Sequence, residues 1–279
     1  MEKNTKVNIK NIVFRFLRLF LIVYVLFCLL IFFIQKTFIF FPLRDTLQLP
    51  IANNLKQITI ITEDNIKLDA WFLDNKSEKT VIFFHWNWWN LYYNQERLKI
   101  LDELKLNALV FDYRWYWMSE WEINSEKDLY RDWEAAYNYL INNGINSKQI
   151  IFRGQSLGWS IAINTAQNKD IYWVVSESTF YSMDRMARKQ FSFLPTFLLL
   201  RFHFKNYEKI NNIKTPVLFI HSKNDEMIGF ENGKDLFDLR TWEKTFLETS
   251  WTHNGWFLKD YEMYVSELKK FLKIQYLTP

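Results

Sequence analysis

The chain has 279 residues, long enough for one large core, and 49% of them are hydrophobic. Its formal charge of +4 is local: residues 1–18 carry Lys3, Lys6, Lys10, Arg15 and Arg18 against Glu2, leaving 30 basic and 30 acidic residues and predicting no nucleic-acid surface. A lone Cys28 excludes an intrachain disulfide, and His85, His203, His221 and His253 lack metal-ligand spacing, so neither a metal nor another cofactor is expected.

The first element is apolar. Leu19 to Ile34 reads LFLIVYVLFCLLIFFI, sixteen residues without a charge. With Phe14, Phe16 and Leu17 before it and Phe38–Phe41 after it, the run can cross a hydrocarbon core of about 30 Å, which takes about 20 helical residues. Gln35-Lys36-Thr37 follows where a cleavage site would need small residues, so residues 1–36 are expected to be an uncleaved anchor. The basic residues before the run predict a cytoplasmic N-terminus, with residues 37–279 on the outer face. A buried core helix is the weaker alternative.

Two strand-like stretches come next, Gln57–Thr62 and Ile66–Leu73, joined by the turn signal Glu63-Asp64-Asn65. Strand and helix patterns then alternate. Val81–His85 reads as a strand, Gln95–Lys105 as a helix and Ala108–Tyr113 as a strand. Glu126–Asn142 is an amphipathic helix with Leu129, Trp133, Ala136, Tyr137 and Leu140 on one stripe. Ile150–Gln155 is a strand and Leu157–Gln167 a helix. Tyr172–Ser176 and Val217–His221 are further buried strands, flanking an insertion over Phe180–Ile210. Glu231–Leu239 is a helix, Lys244–Glu248 a strand and Trp256–Leu272 a closing helix. The alternation predicts one α/β domain with a mostly parallel central sheet flanked by helices.

Chemistry enters at Gly154-Gln155-Ser156-Leu157-Gly158, a G-x-S-x-G pattern between a predicted strand and a predicted helix. That context puts a serine hydroxyl on a tight turn, and the glycines are expected where a Cβ would collide with the neighbouring strand. Serine needs a base to take its proton, and the base needs an acid to hold its tautomer. Asp225 follows strand 217–221 and His253 follows strand 244–248, both at carboxyl strand ends, where open α/β sheets place their sites. Ser156 is therefore the candidate nucleophile, Asp225 the orienting acid, with Glu226 as the alternative, and His253 the base. The oxyanion calls for two backbone N–H groups. Leu157 should supply one and the loop after strand 81–85 the other, from Asn87 first or Trp86 next. His85 is expected to pin that loop.

Tryptophan is out of proportion, 13 residues beside 6 glycines. Average glycine usage is about 7%. His85-Trp86-Asn87-Trp88-Trp89-Asn90, Trp115-Tyr116-Trp117, Trp121, Trp159, Trp242, Trp251 and Trp256 stand in loop contexts that favour a residue without a side chain. Only Trp71 lies where an aromatic is expected. Reading twelve of the thirteen as glycine restores ordinary usage, which is what UGA codons for glycine rendered as tryptophan would produce. The alternative is a protein whose tryptophans bind sugars or lipids.

With glycine at those positions, His85–Asn90 becomes H-G-N-G-G-N, Asp112–Glu120 becomes D-Y-R-G-Y-G-M-S-E and Gly154–Ser160 becomes G-Q-S-L-G-G-S. Over residues 35–273 the chain resembles the α/β-hydrolase family, in its branch with an N-terminal membrane anchor that includes protein depalmitoylases and serine aminopeptidase-like members. The resemblance implies an α/β-hydrolase fold with a short helical cap at about 178–210, and it matches Asp225 and His253 to the family's acid and base. It implies a membrane-anchored serine hydrolase of carboxylic esters or thioesters, including lipid-like acyl substrates. Peptide or amide hydrolysis on the same fold is the first alternative. A non-catalytic membrane-tethered binding module is the second, should the tryptophans be native.

Overall fold

The computed structural model describes residues 9–42, 54–85, 95–116, 118–253 and 261–273. It opens with a 26-residue helix, α1 (Ile9–Ile34), and a single turn, α2 (Lys36–Ile39). At 1.5 Å per residue α1 is about 39 Å long, and it is long and apolar enough to cross a membrane. A core helix would bury one apolar face, whereas Phe20 of α1 is 70% exposed and Leu26 59% exposed.

Eight strands follow: β1 (Leu55–Ile61), β2 (Lys67–Leu73), β3 (Thr80–Phe84), β4 (Asn107–Phe111), β5 (Ile150–Gln155), β6 (Trp173–Glu177), β7 (Val217–Ser222) and β8 (Lys244–Thr249). They form one sheet in the order β1-β2-β4-β3-β5-β6-β7-β8. β2 runs antiparallel to both β1 and β4, and every later pairing is parallel. The antiparallel start comes from the expected hairpin, where Asn65 takes a left-handed φ of 62° and Thr62 N donates to Ile66 O at 3.0 Å.

Helices α3 (Gln95–Glu103), α4 (Glu126–Asn142), α5 (Leu157–Ala166), α9 (Glu231–Leu239) and α10 (Tyr261–Phe271) cover the sheet. Parallel strands covered on both faces should be apolar throughout, and every residue of β3 to β7 is buried. The edge strands β1 and β8 are mostly exposed or half-buried instead. Period-two side chains divide the core. Ile82, Phe84 and Phe152 pack with Trp133 of α4 on one face, while Val81, Phe83 and Ile151 pack with Leu101 of α3 and Tyr264 and Leu268 of α10 on the other. Each fully buried side chain of this size contributes about 1.5–3 kcal/mol.

The insertion between β6 and β7 carries three short helices, α6 (Met183–Gln190), α7 (Thr196–Leu199) and α8 (Asn206–Lys209). Asn206 ties it to the body by donating to Ser160 Oγ of α5 and to Phe180 O, both at 2.8 Å.

Element ends depart from the sequence reading where polar groups find distant partners. The strand expected to reach Tyr113 stops at Phe111. There Asp112 O accepts from Ser119 Oγ at 2.9 Å, and Arg114 N donates to Asp132 Oδ2 at 2.8 Å. The closing helix, expected from Trp256, is described from Tyr261. Three of the twelve tryptophans read as glycine lie in regular elements, among them Trp159, expected in a loop but fully buried in the first turn of α5. Trp133 is on the buried stripe of α4, its ring centroid 4.3 Å from that of Phe152, and Trp173 begins β6. Trp115 and Trp121, by contrast, have φ of 79° and 62°, backbone that a bulky residue rarely adopts.

Candidate active site

β5 ends at Gln155 and α5 begins at Leu157, so the chain reverses within one residue. That residue is Ser156, at φ 52° and ψ −118°. The turn survives because its surroundings determine it. Ser156 N donates to Glu177 O of β6 at 2.9 Å, and Trp159 N donates to Ser156 O at 3.2 Å. Both flanking glycines are sterically required. A Cβ on Gly158 would lie 2.3 Å from Phe84 O, and one on Gly154 would lie 2.6 Å from the Cα of Trp159. Leu157 is the first residue of α5, and a first-turn amide has no partner within its own helix. It is available to an oxyanion. Asn87 and Trp86 lie outside the described residues.

Asp225 and His253 come together from separate loops. His253 Nδ1 is 2.8 Å from Asp225 Oδ2 and 3.0 Å from Oδ1. Both residues are buried. Asp225 Oδ1 also accepts from Ile228 N at 2.7 Å and Met227 N at 3.1 Å, a tight turn that fixes the carboxylate. Glu226 takes a different place: its Oε2 accepts from the backbone N–H of His253 at 3.0 Å. The carboxylate on the imidazole is therefore that of Asp225, and Glu226 holds the main chain carrying the ring. Ser156, Asp225 and His253 follow the carboxyl ends of β5, β7 and β8, all on one edge of the sheet.

His85 is fully buried at the end of β3, its ring 4.4 Å from that of Tyr113 and its Nε2 3.4 Å from Asp112 Oδ1. That setting suits a structural role. His221 was unassigned in the sequence. Its Nε2 lies 2.9 Å from Ile228 O and 3.6 Å from Asp225 Oδ2, so it braces the acid's turn. Burial lowers its pKa, favouring the neutral ring beside the Asp225 carboxylate.

A buried ionic network below the turn was also missed. Arg153 Nε donates to Glu177 Oε1 at 2.7 Å, Tyr264 OH donates to the same oxygen, and Arg97 donates to Gln155 Oε1. Burial lowers the Arg97 pKa to about 9. These residues are spread over four elements and share no spacing, so a sequence offers only one signal for them, an arginine inside a strand otherwise fit for the core. Among the described residues no cluster of three or more His, Cys, Asp or Glu could hold a metal ion.

A serine on a strained turn and a carboxylate-bound imidazole at the same sheet edge are the parts that acyl transfer requires. No family model matches the chain. An uncharacterized protein of Acanthamoeba polyphaga mimivirus is 30% identical over 234 residues, 76% of this chain and 79% of that one. The alpha/beta hydrolase domain-containing protein WAV2 of Arabidopsis thaliana is 29% identical over 242 residues, 78% of each. Among solved structures, a Pyrococcus furiosus esterase superposes with a TM-score of 0.70 at 23% identity, over 84% of this chain and 97% of its own. Relationship over three quarters of the sequence and a sheet shared with known esterases lead to one assignment: the chain belongs to the α/β-hydrolase family.

Proposed function

We propose that this chain is a membrane-anchored serine hydrolase that cleaves carboxylic esters or thioesters through an acyl-enzyme. Ser156 Oγ attacks the acyl carbonyl carbon while its proton passes to His253 Nε2, and Asp225 holds the imidazole through Nδ1. The N–H groups of Leu157 and Asn87 stabilise the oxyanion. Collapse of the tetrahedral intermediate breaks the bond to the alcohol or thiol, which leaves with the proton from His253. Water, deprotonated by the same ring, then releases the acid and restores Ser156.

The observation carrying this reading is the two-oxygen contact of Asp225 with His253 Nδ1, which turns the ring's other nitrogen toward proton transfer. The bare apolar surface of α1 supports an anchor, and its basic N-terminal flank supports a cytoplasmic start. Left-handed backbone at Trp115 and Trp121 supports glycine as the native residue there, with UGA as its codon. UGG codons at Trp86, Trp115 and Trp251 would end that part. The branch that includes depalmitoylases is the family placement favoured by an acyl substrate delivered from a membrane.

The test is covalent labelling by a fluorophosphonate probe, on the printed chain and on a version with glycine at the twelve positions. Labelling of the glycine version that disappears in Ser156→Ala supports the proposal. No labelling, or labelling that survives the substitution, defeats it.

A further inference from the structure

The helix that anchors the chain also touches the cap. Tyr24 OH donates to Phe193 O at 2.8 Å. Gln35 Nε2 donates to Leu199 O at 2.9 Å, and Gln35 Oε1 accepts from Arg201 N at 2.8 Å. Ten residues of helix separate Tyr24 from Ile34, about 15 Å along the axis. If α1 spans a bilayer, the cap segment around Phe193 descends beside it by that distance, half of a hydrocarbon core of about 30 Å.

Two features of the cap fit that depth. Its outer side is apolar: Phe193 is 63% exposed, Phe197 74% and Leu198 68%. Patches of this kind mark a membrane or partner surface. In addition, backbone groups at lipid depth must be satisfied internally, and the polar side chains of Tyr24 and Gln35 are spent on the backbone of this segment. They are the anchor's accommodation of an irregular chain beside it.

Between anchor and cap lies a cavity of about 390 Å³, lined by Phe27 and Ile31 of α1 and by Met186, Ala187, Leu199 and Leu200 of the cap. Ligand pockets span roughly 300–1,000 Å³. Gln35, Gln190 and Thr196 also line it; both ends of Gln35 are engaged in the bonds above and the rest of the lining is apolar, so the cavity suits an apolar occupant. We propose that this cavity is a binding site for the long fatty acyl chain of a membrane-resident substrate, with the anchor helix forming one wall. The chain enters from lipid without crossing water. The inference rests on α1 being an anchor and on the ester or thioester hydrolase reading.

The experiment uses the full-length Ser156→Ala chain in phospholipid nanodiscs and two photoactivatable probes with a diazirine on a sixteen-carbon acyl chain. One probe is a phospholipid and the other an S-acylated peptide. Crosslinks mapping to residues 183–200 and to the stretch of α1 facing them are expected. Ala187→Phe, which fills the cavity, should lower them about tenfold. Whichever probe labels identifies the source of the acyl chain. Leu200→Phe repeats the test from the other end of the cap, should the first variant misfold.

In the active chain, Ala187→Phe should lower the ratio of long-chain to short-chain ester hydrolysis by about the same factor. Crosslinks elsewhere, or crosslinks in the cavity that neither variant reduces, overturn the proposal. Cavity crosslinks, together with failure of fluorophosphonate to label the chain that keeps Ser156, would sustain the acyl site and sink the hydrolase reading.

Discussion

Ser156 sits at φ 52° with Glu177 O on its amide and two glycines pressed against backbone on either side. Such backbone costs on the order of 1–3 kcal/mol and persists only when its surroundings hold it. Gly158→Ala puts a methyl group 2.3 Å from Phe84 O. Relief requires moving α5 off β3, so thermal unfolding should show a loss of at least about 1–3 kcal/mol, together with slower fluorophosphonate labelling. An unchanged melting temperature would mean the turn is looser than described. Asp225→Asn is a subtler change. Asparagine Oδ1 can still accept from Ile228 N, but its NH2 group then faces His253 Nδ1 and favours the wrong tautomer. Turnover should fall by about 10³–10⁴-fold with stability little altered, and comparable activity would assign the acid elsewhere. Trp121 is the opposite case, a residue whose removal should help. It is 71% exposed at φ 62°, so Trp121→Gly gives up little packing and relieves left-handed strain. A gain of about 1 kcal/mol in urea unfolding is expected. Any loss would count against glycine as the native residue.

Among elements, the β1–β2 hairpin is fastened to α4 by Arg114, beside a direct bond from Arg131 Nε of α4 to Glu63 Oε1 at 2.9 Å. Arg114 Nη1 donates to Asp64 Oδ2 at 2.9 Å and Nε to Asp132 Oδ1 at 2.8 Å. The two carboxylates respond oppositely. Hydrogen bonds from Arg114 lower the Asp64 pKa from 3.8 to about 2, so its contribution is present above the unfolded pKa and is lost as pH falls toward 2. Burial raises the Asp132 pKa to about 6, so that group disfavours the folded state as pH rises from about 4 through 6. Asp64→Asn removes the first effect and slightly eases the second, because the Asp64 charge adds to the rise at Asp132. The stability gap between wild type and variant should therefore shrink as pH drops from 5 to 2, read by urea unfolding in detergent. A gap independent of pH would show that Asp64 makes no differential ion pair. The hairpin itself was legible in the sequence, as were the buried strands and the stripe on α4, because each is written in a local period of two or 3.6. The Arg114 clasp was not. It joins positions 64, 114 and 132, and no local pattern distinguishes an arginine that reaches across elements from one that faces water.

At the scale of the whole molecule, the same division separates what was read of the site from what was missed. Ser156 and its glycines form a contiguous motif, and Asp225 and His253 could be sought in chain order after strand ends. The supports, Glu226 on the His253 amide and His221 beside Asp225, depend on loop paths that a sequence does not display. The largest support of all lies below the turn. Arg153 and Glu177 are buried on neighbouring strands, Tyr264 of α10 bonds to both, and Arg97 of α3 bonds to Gln155, the residue before Ser156. Elements from positions 97 to 264 thus converge on the two strand ends that shape the turn. Their carboxylate can be tested by charge alone. Glu177→Gln keeps the shape and leaves Arg153 without a counter-ion in the core, and breaking a buried pair this way costs about 3–5 kcal/mol. Replacing both partners with leucine removes the stranded charge as well as the pair, and such exchanges are often near neutral. The double variant should accordingly recover much of the loss in urea unfolding. Fluorophosphonate labelling should slow in Glu177→Gln, since Glu177 O also receives the Ser156 amide. If Glu177→Gln unfolds like wild type, the network is only a by-product of packing; if the double variant is the less stable of the two, the arginine's charge was never the burden.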